Sequence, residues 1–259
     1  MLSLAAIREA RDRIADVARV TPIEYSHTFS ERTGAAVHLK LENFQRTGAF
    51  KIRGALNRIT TLSDAEQAAG VVTASAGNHA QGVALAATRA GVDATIVMPE
   101  HAPISKVKAT RSYGARVVLA GVDYEEAQAR AHEIEREEGR TYVHAFDDEM
   151  VMAGQGTIGL EIVSQQPDVE TVIVPIGGGG LIAGIATAIK AQQPDVRVIG
   201  VQAEGAASVA ESLAAGEIRE RDSVDTVADG IATRSVGTQP FAIIQERVDE
   251  VVTVSDGEI

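Results

Sequence analysis

Cysteine and tryptophan are absent from the 259 residues, and aromatic residues make up only 3% of them. Without cysteine there is no disulfide, no thiolate zinc site and no cysteine nucleophile. With so few rings the core must come from Ala, Val, Ile and Leu, and 45% of the chain is hydrophobic. No secretory-type apolar leader and no run long enough to span a bilayer occurs. The expectation is a soluble, cytoplasmic protein with no membrane partner. Lysine is scarce: Lys40, Lys51, Lys106, Lys108 and Lys190 are the whole set. The formal net charge of −12 argues against nucleic acid and anionic membranes, which both select a basic face. Such a surface suits a high-salt cytoplasm, and equally an ordinary acidic enzyme from a GC-rich genome. His27, His38, His79, His101, His132 and His144 lack zinc-ligand spacing.

Ile7, Ala10, Ile14 and Val17 recur at helical spacing before Pro22. Strand-like runs follow at Val37–Leu41, Val71–Ala74, Ala94–Met98, Arg116–Leu119, Thr141–His144, Thr171–Pro175, Arg197–Val201 and Glu250–Val254. Helical stretches separate them. One is Asp123–Glu138, with a capping-box pattern at Asp123 and Glu126 and a stop at Gly139. This alternation predicts an α/β protein with parallel sheet and helices on both faces; whether one sheet or two is left open.

Lys51 sits where a polar loop enters a helix, between Phe50 and Ile52. Desolvation and the positive end of the helix dipole both disfavour its ammonium form, and a neutral amine is the nucleophile that forms a Schiff base with a carbonyl. The plainer alternative is a lysine that lays its stem over apolar surface and keeps its charge in water.

Two further loops carry chemistry. In Thr171–Gly184 an apolar strand runs into Gly177, Gly178, Gly179 and Gly180 and then a helix from about Leu181. Such a turn presents backbone N–H groups to a phosphate. Gly178, Gly180 and Ala183 also fit a dinucleotide fingerprint, with Glu204 after the next strand; the glycines alone leave both open. In Val71–Ala86, Ser75, Ala76, Gly77, Asn78 and His79 join a strand to a helix. Their polar groups and the free N–H groups of a helix start suit a carboxylate, although Ser75 or Asn78 as a simple helix cap is a common alternative. A hydrolase nucleophile elbow at Ser75 is disfavoured because Thr73 stands where its first glycine belongs. An aldehyde-bearing phosphate monoester acting on an amino acid would use all three loops, and pyridoxal 5′-phosphate is that molecule.

FKIRGA, SAGNHAQG, AGQGTIGLEI, GGGGLIAG and ADGIA occur in this order. From about Thr21 onward the chain resembles the pyridoxal-phosphate enzymes of tryptophan synthase β-like fold (fold type II), in the threonine dehydratase and serine racemase branch. The resemblance implies a large lobe of residues 1–63 plus 147–259 and a small inserted lobe of residues 64–146, each with a mainly parallel sheet flanked by helices. It implies that Lys51 holds the cofactor and removes the Cα proton, and that Phe50 packs beside the ring. Asn78 would meet the ring hydroxyl, Gly177–Gly180 with Leu181 the phosphate, and Gly230 the ring edge. Ser75–His79 would close on the substrate carboxylate. The implied reaction converts L-threonine, and L-serine, to a 2-oxoacid and ammonia, in a homo-oligomer (dimer or tetramer).

Three departures stand out. Racemases of this branch carry a serine where Ala76 stands, which favours elimination here; an amino-acid racemase is the alternative within the same chemistry. The family's divalent-metal site commonly includes a glutamate where Gln202 stands, so no bound metal is expected. The family also continues past the equivalent of Ile259 to a Ser-Gly-Gly-Asn-like segment that meets the pyridine nitrogen. Nothing here matches it, so the chain is expected to be a piece of a longer protein or to meet that nitrogen otherwise. An impaired cofactor-binding remnant is the other alternative.

Overall fold

The computed structural model describes all 259 residues. Helix α1 (Leu4–Ile14) is capped by the Ser3 hydroxyl and buries Ile7, Ala10 and Ile14. Strands β1 (Ile23–Tyr25) and β2 (His38–Lys40) form an antiparallel pair around α2 (His27–Thr33). Helices α3 (Lys51–Thr60) and α4 (Asp64–Ala69) lead into β3 (Val71–Ala74), α5 (Asn78–Ala90), β4 (Ala94–Met98) and α6 (Ile104–Ser112). Then come β5 (Arg116–Leu119), α7 (Tyr124–Glu138), β6 (Thr141–Tyr142) and the long α8 (Glu149–Gln165). The last part holds β7 (Thr171–Pro175), α9 (Gly180–Lys190), β8 (Arg197–Ala203), α10 (Ser208–Ala215), α11 (Thr238–Arg247) and β9 (Glu250–Val254). No helix is long and apolar enough to cross a membrane.

Two separate parallel sheets result. One has the order β5-β4-β3-β6, the other β7-β8-β9. The central strands β3 and β4 are buried along their whole length, as continuous apolar runs demand when helices cover both faces. The edge strand β7 alternates instead, with Val172 and Val174 inward and Ile173 exposed. Helix α7 starts where Asp123 and Glu126 place it. Asp123 accepts from the Glu126 N–H at 2.9 Å, but Glu126 turns back to the Val122 N–H, so only half of a capping box forms. Gly139 ends the helix at φ 66°.

One strand was not read in the sequence, and three strand limits differ. The unread β1 is three partly exposed residues with a central Glu24, too short for alternation to show. β2 is His38–Lys40, one residue shorter at each end than the Val37–Leu41 run. β8 runs two residues further, to Ala203, because β9 continues to pair with it at Gln202 and Ala203. β6 ends at Tyr142 rather than His144. The Val143 N–H still donates to Val72, but the carbonyls of Val143 and Ala145 are taken by side chains from other elements.

Helix α8 is the shared core element, packed against both α3 and α9. A Cβ on Gly154 would stand 2.5 Å from the Arg53 carbonyl oxygen, and one on Gly156 2.9 Å from that of Gly184. Those glycines permit contact at backbone distance. Beside this contact lies a buried ionic network. The Arg53 guanidinium, 1% exposed, bonds the Glu42 carboxylate (2.8 Å) and that of Glu161 (2.6 Å). Lys40 adds a 2.6 Å bond to Glu161. Burial alone would depress the Arg53 pKa; the bonds to Glu42 and Glu161 outweigh it and hold the group above its usual value. Burial wins at Lys40, whose pKa is lowered despite Glu161.

Removing one member leaves its partners charged and buried. Glu161→Ala is expected to lower the unfolding free energy by about 3–5 kcal/mol in a denaturant titration, whereas a loss within the surface-pair range of ~1 kcal/mol would show the network to be solvated.

Candidate active site

Lys51 is the first residue of α3, and Phe50, in helical conformation, is its N-cap. The side chain does not run out to water. Its Nζ donates to the Ala145 carbonyl at 2.9 Å and lies 5.2 Å from the centre of the Phe50 ring. Burial lowers its pKa from 10.5 to about 8. The start of α5 packs on it: a Cβ on Gly82 would stand 3.1 Å from that of Lys51.

The glycine turn follows β7. Gly179 has φ 92° and caps α9, a conformation that favours glycine. The other three are needed for room. A Cβ on Gly178 would lie 2.4 Å from the Phe146 ring, one on Gly180 2.7 Å from the Phe146 carbonyl oxygen, and one on Gly177 3.2 Å from Ile231. The N–H groups of Gly177 to Leu181 donate to no other group of the protein. Five adjacent donors at the start of a helix whose cap carries no side chain fit a phosphate monoester. Leu181 is half-buried against the core behind the turn. Gly230 is exposed in the short 3-10 turn Asp229–Ile231, whose Ile231 abuts Gly177. Glu204, the carboxylate a dinucleotide would use, is exposed beyond β8.

The second turn follows β3. The Ser75 hydroxyl accepts from the N–H groups of Gly77 and Ala80, both at 3.2 Å, so it organises the turn as a cap. The N–H groups of Ala76, Asn78 and His79 have no acceptor in the protein, and the exposed Asn78 amide is likewise free of hydrogen bonds to it. This is a carboxylate-sized set of donors. His79 is buried, and its Nε2 meets the Val143 carbonyl at 3.0 Å. A carbonyl only accepts, so Nε2 carries the proton and Nδ1 is a bare acceptor, buried without a partner. Burial, then the charge of Lys51, pushes the His79 pKa down to about 3, which keeps the ring neutral.

One segment to which the sequence reading gave no part in the site, Val143–Asp148, ties these parts together. Val143 holds His79, Ala145 holds Lys51, and Phe146 covers Gly178 and Gly180. His144 Nδ1 accepts from the N–H groups of Phe146 and Asp147, and burial lowers the pKa of that ring. The Asp147 carboxylate accepts from the N–H groups of Thr238 and Gln239 at the start of α11, and the Gly237 N–H donates to the Gly178 carbonyl. The adjacent pair Asp147-Asp148 before a glycine-rich helix is the one cue the sequence offers. Two surface depressions of about 400 Å³ each, lined in part by Lys190 and Asp249 and by Thr88 and Tyr113, lie away from these turns.

A divalent cation does not fit at Gln202. Its amide NH2 points at the carbonyls of Ile176 and Ala206, where a cation would need a carboxylate oxygen beside them.

Residues 14–259 match the family described as "Pyridoxal-phosphate dependent enzyme". The chain is 53% identical over its full length to an L-threonine ammonia-lyase of Geobacter sulfurreducens, of whose length it spans 64%. Among solved structures it resembles threonine deaminase isoform 2 from Solanum lycopersicum, with TM-score 0.95, 46% identity, 97% of this chain and 73% of that one covered. Maize serine racemase gives TM-score 0.96 and 39% identity over 99% of this chain and 78% of that one.

The depressed Lys51 pKa has two measurable consequences. Imine formation with an aldehyde probe should be half-maximal near pH 8 rather than at the ordinary lysine value of 10.5, and should vanish in Lys51→Ala. Between those two pH values the unfolded chain binds the Lys51 proton and the native one does not. Stability from this group therefore rises with pH across that window, and the difference in Tm between wild type and Lys51→Met should follow it.

Proposed function

The chain belongs to the pyridoxal-phosphate dependent enzymes, whose cofactor is pyridoxal 5′-phosphate, and we propose that it is the catalytic part of an L-threonine ammonia-lyase that also takes L-serine. The observation that carries this is Lys51: a half-buried lysine whose amine has a lowered pKa, bonded to the Ala145 carbonyl, beside two turns with free N–H groups. The relative named L-threonine ammonia-lyase, identical at 53% of positions, supports the choice of reaction.

When bound, the cofactor supplies an aldehyde carbon for an amine and a ring that draws negative charge away from the amino acid's Cα. The residues of this chain do the rest. Lys51 Nζ would hold the aldehyde carbon and would serve as the base for the Cα proton, a role its lowered pKa suits near neutrality. The N–H groups of Gly177 to Leu181 would bind the phosphate, Phe50 would flank the ring, Asn78 would donate to the ring hydroxyl, and Gly230 would border its edge. The N–H groups of Ala76, Asn78 and His79 take the substrate carboxylate, with Ser75 and Gly77 shaping that turn. Threonine loses its β-hydroxyl as water, and the enamine that remains takes one water up again as it hydrolyses in solution to 2-oxobutanoate and ammonia. Ala76 has no hydroxyl with which to deliver a proton to the opposite face of Cα, which supports a lyase over a racemase. The reading includes a small unit of residues 64–146 inserted into a larger one of residues 1–63 plus 147–259, a homo-oligomeric assembly and a cytoplasmic location.

The test is the visible spectrum of the purified chain with pyridoxal phosphate, followed by threonine. A Schiff-base band and accumulation of 2-oxobutanoate are expected, with Lys51→Ala lowering turnover by about 10²–10⁴-fold or more. Normal turnover in that variant would sink the assignment. D-serine formed from L-serine without 2-oxoacid would favour the racemase.

A further inference from the structure

Gln202 stands near the end of β8 and is 0% exposed. All of its polar side-chain atoms are used. Nε2 donates to the carbonyls of Ala206 (3.1 Å) and Ile176 (3.5 Å), and Oε1 accepts from the N–H groups of Val209 and Ala210, both at 3.0 Å. The partners lie on three elements. Ile176 directly precedes Gly177, Ala206 ends a short 3-10 turn, and Val209 and Ala210 belong to the first turn of α10, whose cap Ala207 has no side-chain oxygen to offer them. The Ser208 hydroxyl, in the same first turn, is buried without a hydrogen-bond partner.

An amide is the one side chain that satisfies both halves of this arrangement. It offers N–H to carbonyls on one side and oxygen to N–H groups on the other. A glutamate of the same shape would keep the bonds to Val209 and Ala210 but turn an oxygen toward two carbonyl oxygens. That assembly of oxygens, with the Ser208 hydroxyl near by in the chain, is balanced only by a hard cation.

We propose that Gln202 is a positioning residue for the phosphate-binding turn. Its amide N–H groups do internally what a bound divalent cation would do for a carboxylate at this place. The chain then loads pyridoxal phosphate independently of divalent cations, and position 202 is the switch between the two modes. The part concerning loading rests on the cofactor assignment above; the part concerning the turn does not.

Two readouts separate these parts: the Tm of the cofactor-free chain, and the dissociation constant of pyridoxal phosphate from its Schiff-base band. Each is measured in EDTA and in millimolar magnesium or calcium. Wild type should give the same values in all three. Gln202→Glu in EDTA should bind the cofactor about tenfold or more weakly, as expected of a buried polar group left without its partner. It should recover most of that loss with either cation, while Gln202→Met should be weakened equally in all three. A wild-type Tm or affinity that falls in EDTA and returns with a cation would overturn the proposal. So would a Gln202→Glu chain that binds like wild type, or one that no cation rescues. If that variant fails to fold, the wild-type comparison still decides. Absence of any Schiff-base band in wild type would instead refute the cofactor assignment, and the Tm comparison would still test Gln202.

Discussion

The hydrogen bond from Lys51 Nζ to the Ala145 carbonyl is the contact on which the arrangement depends. A lysine inside a protein either neutralises or finds an anion. No carboxylate bonds this one, and a neutral amine needs only an acceptor for one N–H. The Ala145 carbonyl is that acceptor, and it is free because β6 stops at Tyr142 instead of continuing its ladder. The early end of a strand and the chemistry of a side chain 94 residues away are one fact. The same departure frees the Val143 carbonyl for His79 and lays Phe146 across the glycine turn.

Around that contact the support is graded. Arg53, two residues beyond Lys51, is anchored by Glu42 and Glu161 in a setting too dry for any of the three to stand alone. The first turn of α3 is thereby joined to α8, and α8 reaches α9 through Gly156 and Gly184. Lys51 and the glycine turn are joined to one packed framework through small residues and fixed charges. The Asn78 amide and the free N–H groups of the two turns carry no such restraints. Rigid support beneath open donors is how a site keeps its geometry when a ligand arrives.

Much of this was legible in the order of residues. The limits of β3, β4, β5, β7 and β9 follow from apolar runs bounded by turn formers, and the limits of α7 from Asp123 and Gly139. The two donor turns and Lys51 stood out because glycines or polar residues sit where a strand hands over to a helix. For Ser75 the sequence offered two readings, a carboxylate-binding hydroxyl or a helix cap: its hydroxyl is a cap acceptor, and the free donors are backbone groups beside it. Val143–Asp148 was not legible. Its work is done by carbonyls and by contacts between residues far apart in the chain, and a carbonyl looks alike in every residue. The Arg53 network was hidden likewise, since an arginine in a helix of mixed polarity is more often at the surface. Gln202 was noticed for the glutamate it replaces; its four bonds give the replacement a physical meaning.

The strand order β5-β4-β3-β6 bears on how the molecule comes together. β3 and β6 pair at Val71↔Thr141 and Val72↔Tyr142, so about 70 residues must be laid down before their ladder closes. Parallel pairing over such a distance closes slowly, because chain entropy is given up before contacts return it. The residues that grip His79 and Lys51 follow β6 directly. On the nascent chain Lys51 and the Ser75–His79 turn are synthesised before the Val143–Asp148 segment that contacts them, and the glycine turn follows β7 later still. The three loops around Lys51 can come into register only once that long-range pairing has formed.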